Sequence, residues 1–224
     1  MKHLSRADYA ALLEGAAVWS RDAHGIKVAQ GADGDIIKLF RNKRLLSSTR
    51  LFPYAQRFRQ NSERLAARGI PTVKVKAVYR CPGIRRDLVV YRPLPGTMLR
   101  VALAESPGAE TLLLRLAEFL AGLHRQGVYF RSIHFGNIIV AEDGRFGLID
   151  VAAMHVRRRA LGPWRRARNF RHLLRYPEDR QAVNRLGFEH FLQHYLAEAG
   201  LGKNQKHLFR KLLRRYVSAE TGAE

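Results

Sequence analysis

The stretch YFRSIHFGNIIV, Tyr129–Val140, runs directly into AEDGRFGLID, Ala141–Asp150. Two short apolar runs, NIIV and FGLID, flank the turn residues EDGR, which is the pattern of a β-hairpin. A hairpin brings its two ends together, so Asn137 and Asp150 are expected side by side. An amide oxygen and a carboxylate are hard ligands of the kind that hold Mg²⁺, which keeps its other positions for water and phosphate oxygens. The loop before the hairpin carries Arg131, Ser132, His134 and Gly136, residue types that a hydrophobic core does not call for.

Upstream of this segment, Pro107–Gln126 places Leu112, Leu113, Leu116, Phe119, Leu120 and Leu123 at helical spacing, the signature of a buried helix. Before it, YRPLPG is a Pro/Gly-rich break where the character of the chain changes. The first ninety residues read as strands around one helix. AAVWS (Ala16–Ser20), IKVAQ (Ile26–Gln30) and DIIKLF (Asp35–Phe40) are β-like. STRLFPYAQRFRQNSERLAARG is helical in its second half, with Phe58 and Leu65 on one face and Gly69 as a stop. IPTVKVKAVYR (Ile70–Arg80) and DLVVYRPLPG (Asp87–Gly96) supply two more strands, for an order β-β-β-α-β-β. Downstream of the hairpin, Asn169–Tyr176, Gln181–Ala199 and Lys203–Ser218 are the expected helices. There is no internal repeat. The division expected is residues 1–93, sheet plus helix, and residues 94–224, mostly helical.

With 224 residues, 46% of them hydrophobic, the chain can bury a sizeable core. Its single cysteine, Cys81, rules out an internal disulfide framework and suits a reducing compartment. The first residues lack a signal-peptide core, and no apolar run approaches spanning length. A cytoplasmic protein is expected, with peripheral contact at an inner membrane allowed. The formal charge of +21 concerns partners rather than fold. Basic residues concentrate at Arg41–Arg44, Arg157–Arg159, Trp164–Arg171 and Lys203–Arg215. Nucleic acid, anionic lipid and phosphorylated saccharide all fit that charge. No nucleic-acid reader motif accompanies it, which counts against the first.

Lys38 sits inside the apolar strand IIKLF, where an ammonium could neutralise phosphate. Taken in order, IIKLF, LHRQGVYFRSIHFGNIIV and FGLIDVA resemble the phosphate-binding strand, the catalytic loop and the metal-binding segment of the protein-kinase-like fold. The thirteen-residue step from Asn137 to Asp150 matches that fold's usual spacing. Within it, ARGIPTVKV and VVYRPLPG are similar to the lipopolysaccharide-core kinases of bacteria, the Kdo and heptose kinases and the related toluene-tolerance proteins. The resemblance covers roughly residues 15–175.

It implies an α+β, two-lobed fold with a five-stranded N-lobe carrying one helix and a mostly helical C-lobe. It also implies ATP and Mg²⁺ as cofactors and a sugar hydroxyl of a polyanionic glycolipid or phosphorylated saccharide as acceptor. Lys38 would meet the α- and β-phosphates, Asn137 and Asp150 the metal, and Val90 and Tyr91 the adenine. Glu63, the one acid between Arg41 and Arg80, would pair with Lys38. Arg157, Arg158, Arg159, Arg165, Arg166 and Arg168 would face the acceptor or an anionic inner membrane, Arg157–Arg171 being the contact segment.

One departure bears directly on activity. The family carries an Asp five residues before the metal-binding Asn, and here that position is Ser132. A hydroxyl does not accept a proton at neutral pH as a carboxylate does. His134, two residues on, is either a substitute base or a brace of the loop. The sequence therefore leaves three readings open: a phosphotransferase without its usual base, a pseudokinase that binds nucleotide and acts as a regulator or scaffold, or an ATP user with altered chemistry such as nucleotidyl transfer.

Overall fold

The computed structural model describes residues 1–41 and 53–221. Residues 42–44 of the basic run RNKR and the start of the stretch read as leading into the first long helix lie outside that set. The chain is mixed α and β and divides into two units: Met1–Leu94 with Ile149–Ala153, and Pro95–Leu148 with Met154–Glu224.

The first unit is built on strands β1 (Lys2–His3), β2 (Ala17–Asp22), β3 (Gly25–Gln30), β4 (Ile36–Arg41), β5 (Lys74–Cys81) and β6 (Arg86–Arg92), with helices α1 (Arg6–Leu12) and α2 (Tyr54–Ala66). The sheet order is β1-β5-β6-β4-β3-β2. Among the described residues six strands rather than five form it, and two helices rather than one accompany it. The additions are local and short. β1 is a two-residue strand parallel to β5 at the sheet edge. α1 is started by a capping box, Ser5 accepting from the Asp8 amide and Asp8 reaching back. Neither carries enough hydrophobic pattern to announce itself.

Strand alternation sorts β4 between the two faces of the sheet. Ile37 and Leu39, with Leu88 and Val90 of β6 as register partners, point into a cluster with Leu4 and Cys81 that Tyr9, Leu12 and Leu13 cover. Ile36, Lys38 and Phe40 point the other way, toward α2. There Phe58 packs on Tyr91 at 5.1 Å and on Phe40 at 6.1 Å between ring centroids. Lys38 thus lies on the face that α2 covers.

The second unit contains β7 (Thr97–Met98), α3 (Leu99–Glu105), α4 (Ala109–Arg125), β8 (Val128–Phe130), β9 (Ile138–Val140), β10 (Phe146–Leu148), β11 (Met154–Val156) and helices α5 (Pro163–Leu173), α6 (Pro177–Leu186), α7 (Phe188–Glu198) and α8 (Lys203–Thr221). β9 and β10 form the expected antiparallel hairpin, Ile138 opposite Leu148. The leucine stripe of α4 is core: Leu113, Leu116, Leu120 and Leu123 are buried. Phe170 of α5 sits at the centre of an aromatic cluster with Phe191, Tyr195 and Phe209, all three within 6.2 Å of its ring centroid.

Two helix expectations need correction. Gln181–Ala199 is not one helix but α6 and α7, separated by Gly187 at φ +94, a conformation that glycine adopts at little cost. The helix placed at Asn169–Tyr176 starts six residues earlier, because Pro163 occupies its first turn, where a missing N–H costs nothing. It ends at Leu173, and Tyr176 instead caps α6. No helix among the described residues is long and apolar enough to cross a membrane.

Phe170 is 1% exposed. Replacing it with Ala should cost about 3–5 kcal/mol, read as a lowered urea midpoint with unchanged slope. A loss below about 1 kcal/mol would mean the aromatic cluster is not the core of this unit.

Candidate functional site

In the first unit, the strand position of Lys38 and the return of Ile149–Ala153 bring two sequence-distant charges together. Lys38 Nζ donates to Asp150 Oδ1 at 2.6 Å across 112 residues of chain. The lysine side chain is 13% exposed and the carboxylate 41%. Asp150 has φ +54, the left-handed region, which costs a non-glycine residue about 1–2 kcal/mol and which Asp tolerates better than most. The turn that follows is held from α2. Buried Asn61 donates its Nδ2 to the Val151 carbonyl at 2.8 Å, and Val151 itself is fully buried.

Glu63 does not take the place expected of it. It lies on the outer side of α2, 65% exposed, against Arg59 one turn earlier at 3.7 Å. Asn61 is the polar residue of α2 that reaches the turn after Asp150, and Asp150 is the acid that meets Lys38. Residue type gave no signal for Asn61; only its position on the face with Phe58 and Leu65 could have shown it.

Val90 and Tyr91 point to opposite faces of β6. The Val90 side chain belongs to the apolar cluster under α1, so only its backbone faces neighbouring strands. Tyr91 shares the Lys38 face. Burial pushes its phenol well above the ordinary tyrosine range, with the Asp150 charge adding to the effect. It stays protonated.

In the second unit, the loop before the hairpin is held by a buried carboxylate that the sequence did not advertise. Asp179, fully buried in the first turn of α6, accepts the Phe135 N–H at 3.0 Å. Arg100 of α3 supplies its counter-charge with two donors, at 2.9 and 3.1 Å, the bidentate geometry that Arg suits best. Asn137 is buried, and its Nδ2 donates to the Ser132 carbonyl at 2.8 Å. That fixes the amide, with Oδ1 as its remaining acceptor.

His134 accepts the Gly136 N–H on Nδ1 at 3.1 Å, and its ring meets Tyr176 edge-on at 4.9 Å. With Nδ1 engaged, the neutral ring carries its proton on Nε2. Through these two contacts His134 braces the loop.

Behind the loop runs a buried polar chain. Arg166 donates to the Leu161 carbonyl, the Ala199 carbonyl and the Tyr195 hydroxyl at 2.7, 2.9 and 3.1 Å. Tyr195 reaches His124 Nδ1 at 2.8 Å, and His124 Nε2 lies 3.1 Å from Asn169 Oδ1. Asn169 Nδ2 donates to the Phe130 carbonyl at 2.7 Å. One proton assignment satisfies every member: Tyr195 donates to Nδ1 and Nε2–H donates to Asn169. Arg166 is 1% exposed. It therefore belongs to this interior chain and not to the acceptor-facing arginines among which the sequence pattern put it. Burial, with the Arg166 charge, pushes His124 down to about 3.

The hairpin connects the two halves of the proposed constellation along the chain. Asn137 precedes Ile138, and Asp150 follows Leu148, the register partner of Ile138, by two residues. The described residues contain no cluster of three or more His, Cys, Asp or Glu able to hold a metal.

No protein-family model matches the chain, and no curated protein does. Among solved structures, it is similar to the bifunctional kinase-methyltransferase WbdD, with 18% identity over 88% of this chain and 44% of that one, at a TM-score of 0.49. A co-crystal structure of WbdD and the kinase inhibitor LY294002 gives 18% identity over 87% and 45%, at a TM-score of 0.48. The chain spans less than half the length of these structures.

His124 and His172 are held down at about 3 and about 4, mainly by burial. A base whose folded value lies below its unfolded one gives stability that is full above the unfolded value, near 6.5, and lost as pH falls. Urea midpoints should therefore drop between pH 7.5 and pH 5.5. The drop should be shallower in His124→Gln; an equal slope in parent and variant would contradict the buried neutral imidazole.

Proposed function

We propose that the chain is an ATP-dependent phosphotransferase of the kinase-like class. Its acceptor is an alcohol, in our reading a sugar hydroxyl of a lipopolysaccharide-core or similar glycolipid. The observation that carries the proposal is the Lys38–Asp150 pair at 2.6 Å, with Asp150 in a left-handed turn braced by Asn61. A cation donor on a strand and an acid at a hairpin end, both held by packing, are what phosphate and its metal require. A lone structural ion pair requires neither the strained φ nor the brace.

In this reading the Lys38 ammonium turns to phosphate oxygens and neutralises their charge. Asp150 and Asn137 are the residues that would hold Mg²⁺, which supplies charge stabilisation on the phosphate oxygens when bound. Tyr91 and the β6 backbone would border the adenine. Ser132 lies beside the acceptor hydroxyl. Its carbonyl anchors Asn137, so this position serves the loop geometry even without a carboxylate.

Lack of the usual base does not by itself forbid transfer. Phosphoryl transfer passes through a loose transition state, and most of its catalysis is positioning and charge stabilisation. A general base contributes about 10²- to 10⁴-fold, about 3–5 kcal/mol. The reaction would be slow. Ser132 also favours the second reading, a pseudokinase that binds nucleotide without turnover.

Thermal unfolding with and without Mg·ATP tests the binding step. At about 100 times its dissociation constant the ligand should stabilise the parent by about 2.7 kcal/mol. The shift should require Mg²⁺ and disappear in Asp150→Ala and Lys38→Met. No shift at any ATP concentration would sink both nucleotide readings. Given a shift, Ser132→Asp should raise phosphate transfer to an acceptor, or ATP hydrolysis, by about 10²-fold or more. An inert Ser132→Asp protein that still binds Mg·ATP would favour the pseudokinase.

A further inference from the structure

Between Val151 and Pro177 the chain has eight arginines and no Asp or Glu. Four of them, Arg157, Arg158, Arg159 and Arg165, are exposed on either side of buried Leu161. The turn that carries them is pinned by its backbone. The Arg157 N–H donates to the Gly127 carbonyl at 3.0 Å, and the Leu161 N–H to the His124 carbonyl at 2.8 Å. The Leu161 carbonyl accepts Arg166 Nε at 2.7 Å. Gly127, at φ +76, admits the Arg157 and Arg159 carbonyls so closely that a Cβ there would stand 2.5 and 2.6 Å from them. Past the turn, Ala160, Gly162 and Pro163 present little side chain. Trp164 stands beyond them, 51% exposed, with the Arg168 guanidinium over its ring at 5.4 Å.

We propose that Arg157, Arg158, Arg159, Trp164 and Arg165 form a surface that docks on an anionic lipid bilayer, the indole entering the headgroup layer and the guanidiniums meeting lipid phosphates. One exposed aromatic is ordinary on a protein surface, and so is a run of charge. Here both stand on one pinned turn with no acid among them. An indole, apolar in body and polar at its N–H, suits the boundary between water and acyl chains. Each basic residue near an anionic membrane surface strengthens binding about fivefold, and a guanidinium fork grips phosphate oxygens two at a time. Nucleic acid would share the charge but asks for other features. Single strands stack on a succession of aromatics, and this segment offers one. Duplexes are read by an element that enters a groove, and a turn with its side chains splayed outward supplies none.

Docking goes beyond the phosphotransfer reading and does not rest on it. The two meet in the second unit. β11 pairs antiparallel with β8, Val156 opposite Val128, so the arginine turn lies where β8 starts and the Ser132 loop follows where it ends. The three residues of β8 separate them, about 10 Å of strand. An acceptor anchored in the same bilayer would have to extend its sugar about that far from the headgroups.

The protein has two tryptophans, Trp19 and Trp164, so in a Trp19→Phe background the emission belongs to Trp164. Vesicles of phosphatidylcholine with phosphatidylglycerol, added without nucleotide, should shift it to the blue and saturate. Vesicles of phosphatidylcholine alone should not. Salt at about 1 M, where charges are screened within about 3 Å, should reverse the capture. Arg157→Gln with Arg158→Gln and Arg159→Gln should weaken binding about 10²-fold. Trp164→Ala, followed by co-sedimentation with the vesicles, should weaken it about tenfold. All four side chains are exposed, so both variants should keep the parent's urea midpoint. Equal binding to the two kinds of vesicle, capture without a Trp164 shift, or unchanged affinity in the triple arginine variant would overturn the proposal. Single-stranded DNA that shifts Trp164 where the vesicles do not would also overturn it, and would make the turn a nucleic-acid surface. The same shift from inorganic phosphate alone, with no capture by vesicles, would overturn it in favour of a soluble anion. If Mg·ATP gives no thermal shift while the vesicles bind, the phosphotransfer reading fails and the docking surface stands; a thermal shift without vesicle binding means the reverse.

Discussion

The Lys38–Asp150 contact closes 112 residues of chain, and the arrangement of the first unit around it follows from how that closure is stabilised. Loop closure on this scale costs entropy that grows only slowly with length. The ion pair contributes little toward it, since the Asp150 side chain is 41% exposed and water screens it. Burial does more: Val151 is fully buried and Ala152 nearly so, and the Asn61 amide takes up the carbonyl that their burial would otherwise strand. A five-residue segment is thereby pinned to a sheet formed by the first part of the chain, and the left-handed turn at Asp150 is the conformation in which both contacts are made.

The second unit follows a related rule with different chemistry: polar groups removed from water must find partners. The Ser132 loop hangs from two of them. Asp179 takes one backbone amide and answers to Arg100. The chain from Arg166 through Tyr195, His124 and Asn169 ends on the Phe130 carbonyl. Arg166 has only neutral partners among these contacts, which keeps a full positive charge in the interior. Its field joins burial in holding His124 neutral. Tyr195, pushed up to about 12 mainly by burial, stays protonated as well. A network of fixed protonation states is a rigid support for the loop it holds.

Arginine therefore plays two parts within one helix. At Arg166 it is an interior donor that ties α5 to α7. At Arg165 and Arg171 of the same helix it is exposed. The difference lies in which side of α5 packs on Phe191, Tyr195 and Phe209.

Several features were legible in residue order alone: the β9–β10 hairpin from its turn residues, the buried stripe of α4 from its leucine spacing, and the placing of Lys38 within an apolar strand from alternation. These depend on contacts between near neighbours, for which sequence spacing is a direct measure. The partner of Lys38 was not legible. Glu63 was the only acid in range, yet helix phase turns it outward and turns Asn61 in. Arg166 was placed with the acceptor-facing arginines and Asp179 carried no signal at all, and each is buried where partners distant in sequence meet it. The sequence by itself determined the local elements and the stock of charges available to them. Only the tertiary structure decided which charges became interior supports and which stayed at the surface. Burial and long-range pairing depend on which faces come together, and no local spacing encodes that.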